Sequence, residues 1–279
     1  MSGCQGRLEA VFRAQKDGFG SMQPAVVVTG ASAGLGVEFA RLAVAEGSKT
    51  VLIARSIDDL ERLAADIDPS RTSTVALGID LAAPDAGETV ARELKARDLY
   101  CHILINNAGF GLFGDAVELD RRSQLGIIDV NICAATDLML RFLPEMVERK
   151  GGRILNVGSV AGFVPGPRMA VYFASKAYLV SLSQALLQEV RGTGVTVTCL
   201  CPGPLRTPFL TRAGAQQVRL FKLLRKLSAN EVARSGWDAM NAGRALCVPG
   251  FGNKAVIAMT RFVSRGTVLA IVERLQRRR

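Results

Sequence analysis

Ala25-Val26-Val27-Val28-Thr29-Gly30-Ala31-Ser32-Ala33-Gly34-Leu35-Gly36 joins four consecutive apolar residues to a glycine-rich turn, and a helical pattern over 37–46 follows. An apolar run that stops at a turn signal predicts a strand buried on both faces. A strand, a glycine-rich turn and a helix N-terminus together make an anion site, because backbone N–H groups and the helix dipole both face a phosphate. Glycines let the backbone approach a pyrophosphate and let the helix pack on the strand. The spacing is G-x-x-x-G-x-G rather than G-x-G-x-x-G, so the motif gains its force from its place between a strand and a helix. Gly30, Ser32, Ala33, Gly34, Leu35 and Gly36 are the residues expected around the phosphates.

The same alternation continues outward. Strand patterns fall at 50–54, 74–78, 102–105, 153–157 and 195–200, and helical patterns at 57–67, 84–97, 119–147 and 170–191. Strands alternating with helices predict an α/β fold, a doubly wound and mostly parallel sheet with helices on both faces. Such sheets bind ligands beyond the carboxyl ends of their strands. The glycine turn, Arg55, Asp80-Leu81 and Asn107-Ala108-Gly109 all fall at such ends. An acidic residue closing the second strand would hold a ribose hydroxyl and select NAD. Ala54 and Arg55 stand there instead, and a guanidinium suits a 2′-phosphate by charge and forked geometry. NADPH is therefore the expected cofactor. Asp80 is placed to accept a hydrogen bond from an adenine amino group. His102 opens its strand at the other end, where a structural role is expected.

Tyr172-Phe173-Ala174-Ser175-Lys176 carries the chemistry. Positions i and i+4 share one helix face, so the Tyr172 hydroxyl and the Lys176 ammonium lie side by side. A neighbouring cation stabilises a phenolate and lowers its pKa. Tyr172 then serves as a proton donor to a carbonyl oxygen, or as a base toward an alcohol. Ser159 lies just past the end of the 153–157 strand, and a loop holding Gly162, Pro165, Gly166 and Pro167 brings it back beside Tyr172. Asn131 sits in an apolar helical run, where an amide needs a hydrogen-bond partner.

In chain order, T-G-x-x-x-G-x-G, N-N-A-G, a helical Asn, Ser, Y-x-x-x-K and P-G span residues 24–205. With these motifs the chain resembles the short-chain dehydrogenase/reductase family. The resemblance implies a Rossmann-type sheet with strand order 3-2-1-4-5-6-7 and a tetrad of Asn131, Ser159, Tyr172 and Lys176. It implies that Lys176 also binds the nicotinamide ribose and that Asn131 holds a water in a proton relay. It places Pro202 and Gly203 beside the nicotinamide and Thr207 at its carboxamide. It implies an NADP-dependent oxidoreductase acting on a carbonyl or alcohol, in a homodimer or homotetramer whose contact uses helices 119–147 and 170–191. The ending departs from the commonest form: Pro249-Gly250-Phe251-Gly252 and a helix-like tail follow a last strand at 244–248. This variant is similar to the DltE-like branch of bacterial reductases. The rival reading is an NADP(H)-binding sensor or membrane-docked binding protein with negligible turnover, which an intact tetrad disfavours.

Composition narrows the rest. With 49% hydrophobic and 22% charged residues in 279, the chain can bury a sizeable core. Its six cysteines form no C-x-x-C and there is one histidine, so no metal site and a reducing compartment are expected. No leader pattern and no long uncharged apolar run is present, which reads as a cytoplasmic protein. Residues 201–279 hold 15 Lys and Arg against 3 Asp and Glu, whereas residues 1–200 hold 20 against 22. The positive balance thus belongs to the last quarter. Residues 1–23 read as an extension, 24–253 as one domain and 254–279 as a basic amphipathic tail. Within the domain, 205–241 read as a flap over the substrate, with apolar and basic residues interleaved at 216–226. The tail is expected to pack on the core or on a second subunit, with an anionic membrane surface as the alternative. No nucleic-acid module accompanies the charge.

Overall fold

The computed structural model describes residues 22–205, 209–215, 227–260 and 262–276. Seven parallel strands form one sheet in the order β3-β2-β1-β4-β5-β6-β7. They are β1 (Gln23–Thr29), β2 (Lys49–Ala54), β3 (Thr74–Gly78), β4 (Leu99–Asn106), β5 (Gly152–Val157), β6 (Val195–Leu200) and β7 (Leu246–Cys247). The crossovers are α1 (Leu35–Ala45), α2 (Ile57–Ile67), α3 (Ala86–Lys95), α4 (Arg121–Ile128), α5 (Ala135–Glu148), α6 (Ala170–Glu189), the single turn α7 (Phe209–Arg212) and α8 (Ala229–Asn241). Two further helices, α9 (Phe251–Thr260) and α10 (Arg265–Gln276), follow the last strand.

The strands are apolar almost throughout because both faces are covered. Alternate residues point to opposite sides of a strand. Val27, Val51, Ile53, Leu104 and Ile154 meet α3, α5 and α6 on one side, through residues such as Leu94, Met139 and Leu186. Val26, Val28, Leu52, Ile105 and Leu155 meet α1, α2 and α8 on the other, where Phe39, Leu60 and Trp237 are buried. The Trp237 indole N–H also donates to Glu46 at 2.7 Å, pinning α8 to the end of α1. His102, in the middle of β4, is 2% exposed. Burial, with Arg153 and Arg149 nearby, brings its pKa down to about 4, so it is a neutral core residue.

The helical pattern over 119–147 is not one α-helix. It starts at Arg121, capped by the Asp120 carboxylate, which accepts from the Ser123 N–H at 2.7 Å. It then widens into a π-helical turn over Asp129–Ala134 before continuing as α5. The last strand is also shorter than its sequence pattern: only Leu246–Cys247 pair with β6. Residues 1–21, Thr207 and the basic segment 216–226 lie outside the described residues.

Candidate active site

A cleft of about 1390 Å³ runs along the carboxyl ends of the strands. That exceeds the ~300–1,000 Å³ typical of single small-ligand sites and has room for a dinucleotide and a second molecule. At one end lies the glycine turn. Gly30 and Gly34 have φ of +64° and +59°, a left-handed conformation that L side chains rarely adopt. The N-terminus of α1 has no side-chain cap, whereas Ser56 caps α2 and Ser228 caps α8. Its first N–H groups are therefore open to an anion.

Gly30, Ser32, Ala33, Gly34 and Leu35 all line this end, as do Arg55, Asp80, Leu81, Asn107, Ala108 and Gly109. Gly36 does not. A Cβ there would come within 2.2 Å of the Gly30 carbonyl oxygen, so Gly36 is the glycine that seats the helix on the turn. Asn107 holds the turn from behind, its amide donating to the carbonyls of Thr29 and Gly30 at 2.9 and 3.1 Å. Thr29, to which the sequence reading gave no role, is the knot between β1 and β4. Its hydroxyl donates to the Ile105 carbonyl and accepts the N–H groups of Asn107 and Ala108. Its position directly before the first glycine was the available signal.

Ser159, Tyr172 and Lys176 meet at the middle of the cleft. Ser159 ends the chain's exit from β5, and its hydroxyl accepts from the Ala161 N–H. Tyr172 and Lys176 share one face of α6, the Lys176 nitrogen 5.8 Å from the Tyr172 ring centre. Lys176 donates to the Val157 carbonyl at 2.8 Å. Burial governs both titrations. It pushes the Tyr172 phenol up to about 12, against the opposing pull of its Ser159 hydrogen bond, and brings Lys176 down to about 8. The i, i+4 spacing alone predicts a lowered phenol pKa. In the free protein desolvation raises it instead, because a phenolate in this pocket would lose its hydration.

Asn131 stands on the π-helical turn, behind the cleft wall rather than in it. Its amide clasps the backbone of Phe110, accepting from the N–H and donating to the carbonyl, both at 3.0 Å. It also donates to the Ser175 hydroxyl, which donates in turn to the Tyr172 carbonyl. Asn131 thus ties the loop after β4 to the helix that carries Tyr172. Gly109 closes the gap: a Cβ on it would lie 3.0 Å from the Asn131 oxygen and 3.4 Å from the Lys176 nitrogen. Pro202 and Gly203 also line the cleft.

Beyond Tyr172 the wall is apolar. Phe209 packs against the tyrosine ring at 5.3 Å, with Phe110, Val160, Phe163, Val164 and Leu210 nearby in the wall. Arg122 and Arg212 also reach the cleft. The tail is part of the same chamber: α9 packs on the turn at Val160–Phe163, and both α9 and α10 line the cavity. Sequence periodicity shows that these helices have an apolar face but not what it meets. Among the described residues no cluster of metal-ligating side chains occurs and no helix is long and apolar enough to cross a membrane.

The short chain dehydrogenase family model matches residues 24–218. The chain is a short-chain dehydrogenase. The uncharacterized oxidoreductase YbbO of Escherichia coli K12 is 33% identical over 197 residues, 70% of this chain and 71% of YbbO. A fatty acyl-CoA reductase of Acinetobacter baylyi is 30% identical over 234 residues, 81% of this chain and 74% of that protein. Among solved structures, a short-chain dehydrogenase from Sphingobium yanoikuyae in complex with NADPH superposes with a TM-score of 0.74 at 30% identity, covering 87% of this chain and 97% of the other. A family member from Burkholderia phymatum in complex with NAD gives 0.78 at 25% identity, covering 88% and 95%. As a short-chain dehydrogenase the chain is an oxidoreductase that uses a nicotinamide cofactor. The open cradle of Gly30, Gly34 and the uncapped α1 fits the pyrophosphate of such a cofactor.

Proposed function

We propose that this short-chain dehydrogenase is an NADPH-dependent reductase of apolar, acyl-bearing carbonyl compounds. The observation that carries the reading is one continuous cavity that holds the glycine turn with its uncapped helix, the group of Tyr172, Ser159 and Lys176, and a largely apolar stretch of wall. When bound, NADPH would supply the hydride for the carbonyl carbon. Tyr172, neutral at physiological pH, gives its phenolic proton to the carbonyl oxygen, so the carbonyl leaves as an alcohol. Ser159 holds that oxygen by a hydrogen bond, and Lys176 supplies positive charge as the phenolate forms. Asn131 keeps the Phe110 loop and α6 in register and supports proton return to Tyr172. Arg55 takes the 2′-phosphate, Asp80 and Leu81 the adenine, and Pro202, Gly203 and Thr207 the nicotinamide. The fatty acyl-CoA reductase among the relatives supports the substrate class, and the NADPH-bound neighbour supports the cofactor. The assignment to the DltE-like branch rests on the chain's ending.

We also propose a homodimer through α4, α5 and α6. Leu125, Leu140 and Tyr178, one from each helix, keep 42%, 53% and 38% of their surface exposed and offer a second copy an apolar face across the three helices. NADPH oxidation with a panel of ketones and aldehydes, for wild type and Tyr172→Phe, tests the reading. Turnover by wild type and a loss of about 10²–10⁴-fold in the variant is the expected result. NADPH binding without turnover of any carbonyl would favour the sensor instead, and unchanged activity in Tyr172→Phe would overturn the mechanism.

A further inference from the structure

Part of the cavity wall comes from helices that lie outside the family match at 24–218. Val256, Ile257 and Met259 of α9 and Ile271, Val272 and Leu275 of α10 face into it. Their neighbours Lys254, Arg265 and Arg274 do not line it, so the two helices send hydrocarbon inward and leave their charges outside. Thr260 is the polar residue these helices contribute to the wall, and its hydroxyl is spent on the Ile257 carbonyl at 2.7 Å. Met259, Ile271 and Val256 retain 63%, 51% and 46% exposure while lining the cavity. Apolar surface left open inside a concave site is stabilised by whatever apolar group fills it. A ligand portion lying here meets no charged group and no free hydrogen-bonding side chain from α9 or α10. The matching chemistry is an unsubstituted hydrocarbon chain.

We infer that α9 and α10 form an acyl-chain compartment that sets which chain lengths the enzyme accepts. The inference rests on the reductase reading for its reaction, but chain binding does not need turnover. An incoming indole at the wall takes the space of at least two methylenes, and losing their burial weakens binding about tenfold.

The test titrates full-length protein with 11-(dansylamino)undecanoate and follows its fluorescence, for wild type, Ile271→Trp, Met259→Trp and Phe262→Ser. Phe262 is 89% exposed and does not line the cavity. Probe binding by wild type and Phe262→Ser, weakened about tenfold or more by each tryptophan variant, is expected. In parallel, the kcat/KM ratio for 2-dodecanone over 2-butanone with NADPH should fall by a similar factor in both tryptophan variants. No probe binding by wild type, or binding by both tryptophan variants as tight as by wild type, overturns the inference. Two variants on two helices guard against one that fails to fold. Probe binding that follows the expected pattern with no turnover of any ketone would sink the reductase reading and leave the compartment standing.

Discussion

The Lys176 ammonium, 4% exposed, donates to the carbonyl of Val157 at 2.8 Å, which places a charge at the carboxyl end of the central sheet. Burial brings its pKa down to about 8, while the neighbouring Tyr172 phenol is pushed up to about 12. In the proposed mechanism reduction needs the phenol protonated, and it stays so far above neutral pH. Loss of activity in mild alkali therefore belongs to the lysine. The charge is present below about pH 8 and lost as the pH rises through it. The reductive kcat/KM, which reports the free enzyme's groups, is expected to be flat at neutral pH and to fall above about pH 8. Lys176→Arg should remove that limb from the pH profile, because a guanidinium stays protonated. A limb unmoved in Lys176→Arg would assign it elsewhere.

Arg55 is exposed at the lip of the cleft and makes no ion pair among the described residues. A charge-assisted contact to a phosphate is worth about 1.5–3 kcal/mol. Arg55→Ala should raise the KM for NADPH by roughly 10- to 100-fold and leave that for NADH nearly unchanged. Equal effects on both cofactors would show that Arg55 does not read the 2′-phosphate.

Asn131→Ala strips partners from the Phe110 N–H and carbonyl and from the Ser175 hydroxyl. A buried polar group left without a partner costs about 1–3 kcal/mol. Denaturant unfolding should show a loss of at least that size, accompanied by a fall in kcat. Asn131→Asp keeps the acceptor but not the donor and should recover part of the stability.

Gly36→Ala forces a methyl to within 2.2 Å of the Gly30 oxygen, so either the turn or α1 must shift. Overpacking of this kind costs about 1–3 kcal/mol, and the displaced turn should lose affinity for the cofactor. Thermal melting with and without NADPH reads both effects. Gly252→Ala, where nothing lies within 4 Å, is the matched control and should melt like wild type.

The sheet was legible because buried parallel strands leave uninterrupted apolar runs. Thr74–Gly78 and Val195–Leu200 have the bounds their patterns predict. The strand Leu246–Cys247 was not sharply legible, since two paired residues carry no period. The π-helical turn at Asp129–Ala134 was hidden because it keeps the apolar rhythm of the helices on either side. Ser159, Tyr172 and Lys176 were readable as a group from spacing and strand ends. The sign of the tyrosine's pKa was not, because spacing gives proximity to Lys176 and says nothing of how much water the ring loses. Thr29 and Phe110 were missed for a related reason: one acts through its hydroxyl and the other through its backbone, at positions set by the fold.

The division of labour along the chain has an evolutionary corollary. Tyr172, Lys176 and the glycine turn all lie within residues 30–203, whereas part of the chamber wall is furnished by α9 and α10, after the sheet is complete. None of the residues of α9 and α10 belongs to the sheet or to the group of Ser159, Tyr172 and Lys176, although α9 rests on the Val160–Phe163 turn. On the proposed reading, a change in these two helices re-cuts the chamber while the residues assigned to the reaction stay the same.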